Sequence, residues 1–125
     1  MVTSESLPHP AILLLAAGHG RWRELRHVIA EWDMLDAGVP TRGQVQQSIA
    51  ILLGSGLIEV NDKGRVRITR AGKGLLGDGQ LRRLRIRARV PVLMRELEGQ
   101  LQAPAYYVLD EETYRAAVEA YVSRK

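Results

Sequence analysis

Residues 41–69, TRGQVQQSIAILLGSGLIEVNDKGRVRIT, decide the fold of this chain. Thr41 and Gln44 have the spacing of a capping box, in which two side chains bond the free backbone amides at the start of a helix. Apolar residues then recur at helical spacing and predict one buried stripe of Val45, Ile49, Leu52 and Leu53. The helix stops at 54–56 (GSG). The next residues alternate in polarity on both sides of 61–64 (NDKG), which predicts a β-hairpin directly after the helix, with Gly64 at a positive φ.

Two further helices are predicted before this stretch. The apolar run 11–17 (AILLLAA) follows Pro10 and ends at Gly18, which predicts a short buried helix. Residues 21–36 carry an apolar stripe at steps of three or four, which predicts an amphipathic helix. Gly38 has the place of a left-handed cap after that helix, and Pro40 prevents its continuation. The predicted order is therefore three helices and a hairpin, after which Thr69 caps one short turn over 70–76.

The last third of the chain predicts a C-terminal extension. Residues 83–90 alternate Arg with apolar residues, as a strand with one cationic face does, but their apolar positions also fit a helix, so both alternatives stay open. A helix is predicted over about 91–102, with Pro91 as its first residue. A short strand follows over about 106–109, and Asp110 caps a final amphipathic helix over about 111–123.

Composition and charge limit the class of protein. The chain has 125 residues, of which 46% are hydrophobic and 26% charged, as in a globular protein, and it has no Cys for a disulfide or a thiolate metal site. The run 11–17 is too short to span a bilayer and lacks the flanks of a signal peptide, so we expect a cytoplasmic protein without membrane association. The net charge of +4 suits a polyanionic partner, although residues 1–78 carry only +1 and residues 79–125 carry +3.

Patterns that would indicate other chemistry lack their structural context. The sequence GKGLLG at 72–77 matches a dinucleotide fingerprint, but residues 65–68 before it alternate with Arg outward and do not read as a buried parallel strand. His9, His19 and His27 are too far apart to predict a metal site. Ser, His and Asp occur without a nucleophile-elbow context. We therefore expect no catalytic residues, no metal and no cofactor.

The order of the predicted elements carries a resemblance to a known family. PTRGQVQQSIAILLGSGLIEV, followed by GRVRITRAGKGLL, resembles the recognition helix, strand and wing of bacterial winged helix-turn-helix transcription regulators, in the broad sense of the MarR-like and PadR-like groups. The resemblance covers roughly residues 10–77 and identifies no subfamily. It implies an α+β, mainly helical fold with a winged-helix domain over 10–77 and DNA binding as a homodimer. Residues 1–9 are then a flexible N-terminus, and 78–125 a helical extension that supports or dimerises the domain.

The third helix of such a domain presents its N-terminal residues to the major groove, where Arg suits guanine and Gln suits adenine. The predicted base contacts are Arg42, Gln44, Gln46 and Gln47. The predicted contacts to the DNA backbone are Thr41, Ser48, Lys63, Arg65 and Arg67. Additional phosphate contacts are predicted for Arg83, Arg85, Arg87 and Arg89, which would alternatively pair with the acidic residues at 110–112. The target sequence and any small-molecule effector are not specified by these residues.

A second function fits the same pattern. A winged-helix module that binds another protein, and not DNA, would need no basic footprint, and the nearly neutral charge of residues 1–78 favours it. The Arg and Gln residues of the third helix and the basic hairpin favour DNA binding as a transcription regulator.

Overall fold

A computed structural model describes residues 8–77 and 79–123, without the side chains of Pro8 and Gln80. The helices are α1 (Pro8–Ala16), α2 (Leu25–Asp36), α3 (Arg42–Gly54), α4 (Arg70–Leu76), α5 (Gly79–Arg82), α6 (Arg89–Leu97) and α7 (Glu111–Val122), and Ile86–Ala88 forms a turn of 3₁₀ helix. Strands β1 (Ile58–Val60) and β2 (Val66–Ile68) pair antiparallel. The fold is therefore α+β and mainly helical, as predicted. Most of the predicted flexible N-terminus lies outside the described residues, whereas residues 8 and 9 already belong to α1.

The core is built around α1. Residues 11–17 are each at most 6% exposed, because α2, α3 and α6 all pack against α1. A helix that is apolar on every side is stable only when it is enclosed in this way. The C-terminal extension takes part in the enclosure, since Leu81, Leu93 and Leu97 belong to the same apolar cluster as Trp32. Among the described residues, no helix combines the length and the apolar character needed to cross a membrane.

The start and the end of α2 differ from the prediction. The helix begins at Leu25 and not at Arg21, because Arg23 pairs with β2: its amide donates to the Val66 carbonyl at 2.8 Å, and the Val66 amide donates back at 2.9 Å. Extended pairing of this kind is incompatible with helical backbone angles. After α2, the left-handed residue is Ala37, with φ 54°, and not Gly38.

The signals around α3 and the hairpin are confirmed. The Thr41 hydroxyl accepts from the Gln44 amide at 3.1 Å, and the Gln44 side-chain oxygen accepts from the Thr41 amide at 2.9 Å. Gly64 has φ 78°, and the hairpin aligns Ile58 with Ile68. The predicted stripe is buried except for Leu53, which is only partly buried. Burial also extends beyond this stripe to Ala50 and to Ser48, for which the sequence predicts a DNA contact, so α3 is enclosed on more than one side.

The C-terminal extension resolves one open question and corrects two predictions. Residues 83–90 form neither a strand nor one continuous helix, but a turn followed by the 3₁₀ helix and the start of α6. Pro91 is the third residue of α6, a place where its missing amide costs no helical hydrogen bond, and α6 ends at Leu97 and not near 102. Residues 101–110 contain no strand, including 106–109. The prediction for Asp110 is confirmed, since its carboxylate accepts from the Thr113 amide at 2.7 Å and caps α7.

Candidate nucleic-acid interface

Part of the predicted base-reading face of α3 lies beneath the extended segment 101–110, which leads into α7. Residues 101–122 are called the cover below. Its extended part, 101–110, runs antiparallel to α3 along the whole helix. The Gln102 amide donates to the Ser55 hydroxyl at 2.8 Å, beyond the C-terminal end of α3. The Ala105 amide donates to the Ala50 carbonyl at 2.9 Å, and the Leu109 amide donates to the Gln46 side-chain oxygen at 2.8 Å. The helix and the extended segment therefore touch from one end of α3 to the other.

Arg42 and Gln46, two of the predicted base contacts, are bonded to the cover. The Arg42 guanidinium donates to the Leu109 carbonyl at 3.0 Å and to the Gln46 side-chain oxygen at 3.2 Å, and its Nε lies 3.5 Å from the Glu111 carboxylate. Bidentate recognition of a base needs the same side-chain groups. Neither residue is available to a base while the cover is in place.

The other predicted residues of α3 have different surroundings. Gln44 and Thr41 use their side-chain oxygens in the capping box. Ser48 is 1% exposed and lies in the core, so the prediction that it contacts a phosphate is wrong for this state of the protein. Gln47 is exposed and makes no hydrogen bond to another described residue. Of the predicted base contacts, Gln47 therefore keeps its side-chain groups available to a ligand.

The final helix packs along α2, and two of its phenol groups also bond residues outside the helix. Tyr114 donates to the Pro40 carbonyl at 2.5 Å, and Tyr121 donates to the Asp33 carboxylate on α2 at 2.5 Å. Burial raises the pKa of Tyr114, and the hydrogen bond to Asp33 raises the pKa of Tyr121. Both phenols therefore stay protonated at neutral pH and can act as donors.

The two arginines of the hairpin have anionic partners. Arg67 lies 2.6 Å from Glu59, which faces it across the hairpin, and stacks 4.3 Å above the Trp22 ring. Arg65 lies 3.8 Å from Glu24, whose pKa is lowered mainly by a hydrogen bond from Arg26. Lys63, near the hairpin tip, is exposed and has no carboxylate of a described residue within ion-pair distance. Of the predicted wing contacts, Lys63 is the cation left without compensation.

Positive charge is concentrated between Lys63 and Arg95. This stretch contains 11 Lys and Arg and a single acidic residue, Asp78, so the rest of the chain has 7 basic and 13 acidic residues. Five arginines fall within 82–89: Arg82, Arg83, Arg85, Arg87 and Arg89. None of them forms an ion pair within the described parts of the chain. The alternative pairing with 110–112 does not occur for Glu111, whose carboxylate faces Arg42 and Arg115.

Several of these cations lie near the turn at 18–20 or are bonded to backbone carbonyls. Arg87 donates to the Met34 carbonyl at 3.0 Å, and Arg89 donates to the Leu84 carbonyl at 3.0 Å. A cleft of about 550 Å³ brings Arg82 and Arg89 beside the turn at 18–20, and Lys73 approaches the same turn at Gly20. A separate, smaller cleft of about 240 Å³ lies between Arg21 and the hairpin residue Arg65. We use the name cationic surface for the cations beside the larger cleft, those of 82–89, and Arg21; its members are Arg21, Lys73, Arg82, Arg83, Arg85, Arg87 and Arg89.

The carboxylate that lines the larger cleft does not cancel this charge, because Glu31 is already bonded to Arg23 at 3.0 Å and to His19. The signal for the cationic surface in the sequence is the basic stretch from Lys63 to Arg95. Net charges counted separately for residues 1–78 and 79–125 do not show this stretch, because its residues fall in both parts. The cover has a weaker signal, since its bonds to α3 involve backbone groups that every residue type carries.

Comparisons of the chain with protein-family models, curated proteins and solved structures found no match. Within the described residues, no group of three or more His, Asp and Glu side chains could hold a metal ion.

Proposed function

We propose that the chain is a winged-helix protein that binds double-stranded DNA and regulates transcription. The order α1, the Arg23 bridge, α2, α3 and the hairpin is compatible with a winged helix, in which the hairpin would be the wing. The observation that carries the proposal is the cationic surface, because its charges are exposed or half-exposed and no carboxylate of the described residues compensates them.

The duplex offers a matching array of negative charge. B-DNA carries one phosphate charge per roughly 1.7 Å of helix axis, and each Lys or Arg that approaches it releases condensed counterions. Guanidinium groups suit phosphates because their planar forks donate two parallel hydrogen bonds. Bonds to backbone carbonyls hold Arg87 and Arg89 in place before any ligand binds, which lowers the entropy cost of contact. Affinity for the DNA backbone then requires no base contact from α3.

A second candidate function is a winged-helix module that binds protein. The cover favours it, because α3 already binds an extended polypeptide segment through backbone hydrogen bonds at Ala105 and Leu109. A partner protein with an extended segment would use the same groups of α3. Homodimerisation through the C-terminal extension stays a prediction of the sequence.

A salt titration of the full chain separates the two functions. A fluorescent duplex of random sequence is titrated with protein, and binding is followed by anisotropy at several salt concentrations. With about six phosphate contacts, the affinity should fall roughly 10³-fold between about 50 mM and about 200 mM salt. Absence of binding at the lowest salt would overturn the DNA proposal and leave the protein-binding module. The stoichiometry of the complex, read from the same titration at high concentration, tests the homodimer.

A further inference from the structure

We infer that the cover is removable and controls the access of α3 to the DNA major groove. This inference rests on the proposed function and adds a second, sequence-reading surface to it. With the cover in place, the protein holds DNA by the cationic surface alone. With the cover released, Arg42 and Gln46 face solvent and become the residues that determine base specificity.

The cover has the properties of an element that opens before the rest of the fold. Each residue of α7 keeps some exposure to solvent, although α7 packs along α2, and two phenol bonds join it to Pro40 and Asp33. In the extended part, Leu109 reaches the core, at 3% exposure, and Leu101 and Tyr107 are only partly buried against it. Segments with few buried apolar groups and exposed hydrogen bonds open at lower free energy than the core. An exposed turn at 98–100 separates the cover from α6, so the cover can leave without moving Leu93 or Leu97 from the core.

Helix α3 has stabilising contacts of its own besides the cover. Its first turn is closed by the capping box of Thr41 and Gln44, and its apolar stripe packs on α1. Release of the cover costs Arg42 and Gln46 their hydrogen bonds to Leu109, but water can replace those bonds. The released helix therefore presents an intact N-terminal half with Arg42, Gln46 and Gln47 directed outward.

Gly54 indicates that the sequence is adapted to the covered state. A Cβ at this position would overlap the Ala103 carbonyl oxygen and would lie 2.7 Å from the Ala105 amide nitrogen. Gly54 has no positive φ that would require glycine, and glycine lowers helix propensity. The close approach of the cover accounts for this residue. By contrast, a Cβ at Gly43 of the same helix would meet nothing within 4 Å.

This contrast gives a matched pair of variants. Gly54→Ala should displace the cover by steric overlap, whereas Gly43→Ala makes the same chemical change in the same helix without touching the cover. Hydrogen exchange of residues 101–122 should become at least about tenfold faster in Gly54→Ala, because an overlap of this size costs more than about 1.4 kcal/mol, the free energy equivalent of a factor of ten. Gly43→Ala should exchange like the unmodified chain. Circular dichroism checks that both variants keep their helices.

A second pair opens the cover without changing α3. Tyr114→Phe with Tyr121→Phe removes both phenol hydrogen bonds, and each loss should raise the open fraction about fivefold. Tyr106→Phe is the control, because Tyr106 is 93% exposed and makes no hydrogen bond to a described residue. Apparent affinity for a selected DNA site should rise by the same factor as the open fraction, as long as the closed form dominates. Arg42→Ala added to the opened variants should abolish their preference for that site over random duplex.

Each outcome decides a different question. Binding of the unmodified chain to random duplex at low salt tests the proposed function by itself. If that binding occurs, but the opened variants gain neither affinity nor site preference, the control by the cover is overturned and the proposed function stands. Equal exchange of 101–122 in Gly54→Ala and Gly43→Ala would also overturn it. If no variant binds duplex at low salt, the proposed function fails and this inference fails with it.

Discussion

Replacement of three arginines tests the cationic surface most directly. Arg82, Arg83 and Arg85 are exposed, and their side chains bond no other described residue. Arg87 and Arg89 differ, since each donates to a backbone carbonyl and so contributes to the local fold. The variant Arg82→Gln, Arg83→Gln, Arg85→Gln therefore removes three charges and no structural contact. Its free energy of unfolding should stay within about 0.5 kcal/mol of that of the unmodified chain.

The size of the effect follows from counterion release. Each phosphate contact contributes about −0.9 to the slope of log K against log salt concentration, so the triple variant should be less steep by about 2.7. At about 0.1 M salt, each contact is worth roughly eightfold in affinity on the same relation, and three contacts are worth roughly 500-fold. These figures are upper bounds, because an arginine of the surface that touches no phosphate contributes nothing to the slope.

The assay is the anisotropy titration of a random duplex at several salt concentrations. The three substitutions are also made one at a time. Each of these single variants is compared with Arg115→Gln, which removes one exposed positive charge from α7, outside the cationic surface. The Arg115–Glu111 pair is exposed, with a separation of 3.5 Å, and contributes little to stability. The control should leave the slope unchanged, whereas each single variant in 82–85 should change it by about 0.9. Equal slopes for the triple variant and the control would refute DNA binding by this surface.

Two further predictions concern the C-terminal extension. Leu97→Ala should lower the free energy of unfolding by about 2–5 kcal/mol in urea titrations, because Leu97 is fully buried in the core shared with α1; a loss no larger than that of exposed Val122→Ala would show that α6 is not part of this core. The pKa of Asp110 lies below its ordinary 3.8 because the carboxylate accepts a hydrogen bond from the Thr113 amide. The carboxylate cap therefore stabilises α7 fully above pH 3.8, and this stabilisation is lost as the pH falls through the pKa of Asp110 in the folded protein. Hydrogen exchange of α7 should therefore accelerate in acid in the unmodified chain more than in Asp110→Asn, whose amide caps without titrating; the same acid response in both would contradict this role of the carboxylate.

Local signals in the sequence predicted the parts of the fold that depend on neighbouring residues. The Thr41–Gln44 capping box, the turn at Gly64 and the cap at Asp110 each involve groups within four residues of one another, and all three are present. The errors arise where distant residues compete with local preference. Arg23 fits a helical stripe, but pairing with Val66, more than forty positions away in the sequence, takes it out of α2.

The same distinction between local signals and contacts from distant residues applies to the candidate site. The sequence contains both the Arg and Gln residues of α3 and the basic stretch from Lys63 to Arg95. It predicts a cationic hairpin, yet Arg65 and Arg67 lie beside Glu24 and Glu59, and only the folded chain determines which charges are compensated. Most of the uncompensated cations lie in the stretch from α4 to α6, which includes the arginines for which the sequence predicts only additional phosphate contacts.

The sequence by itself determined the helices of the N-terminal half, the hairpin and the total positive charge, because caps, turns and periodicity act over a few residues. Only the tertiary structure decided which face of α3 meets solvent. The cover reaches Arg42 and Gln46 from more than sixty residues away, and it bonds them through the amide and carbonyl of Leu109. Those backbone groups are the same in every residue, so the side-chain pattern of 101–110 does not predict that this segment covers α3.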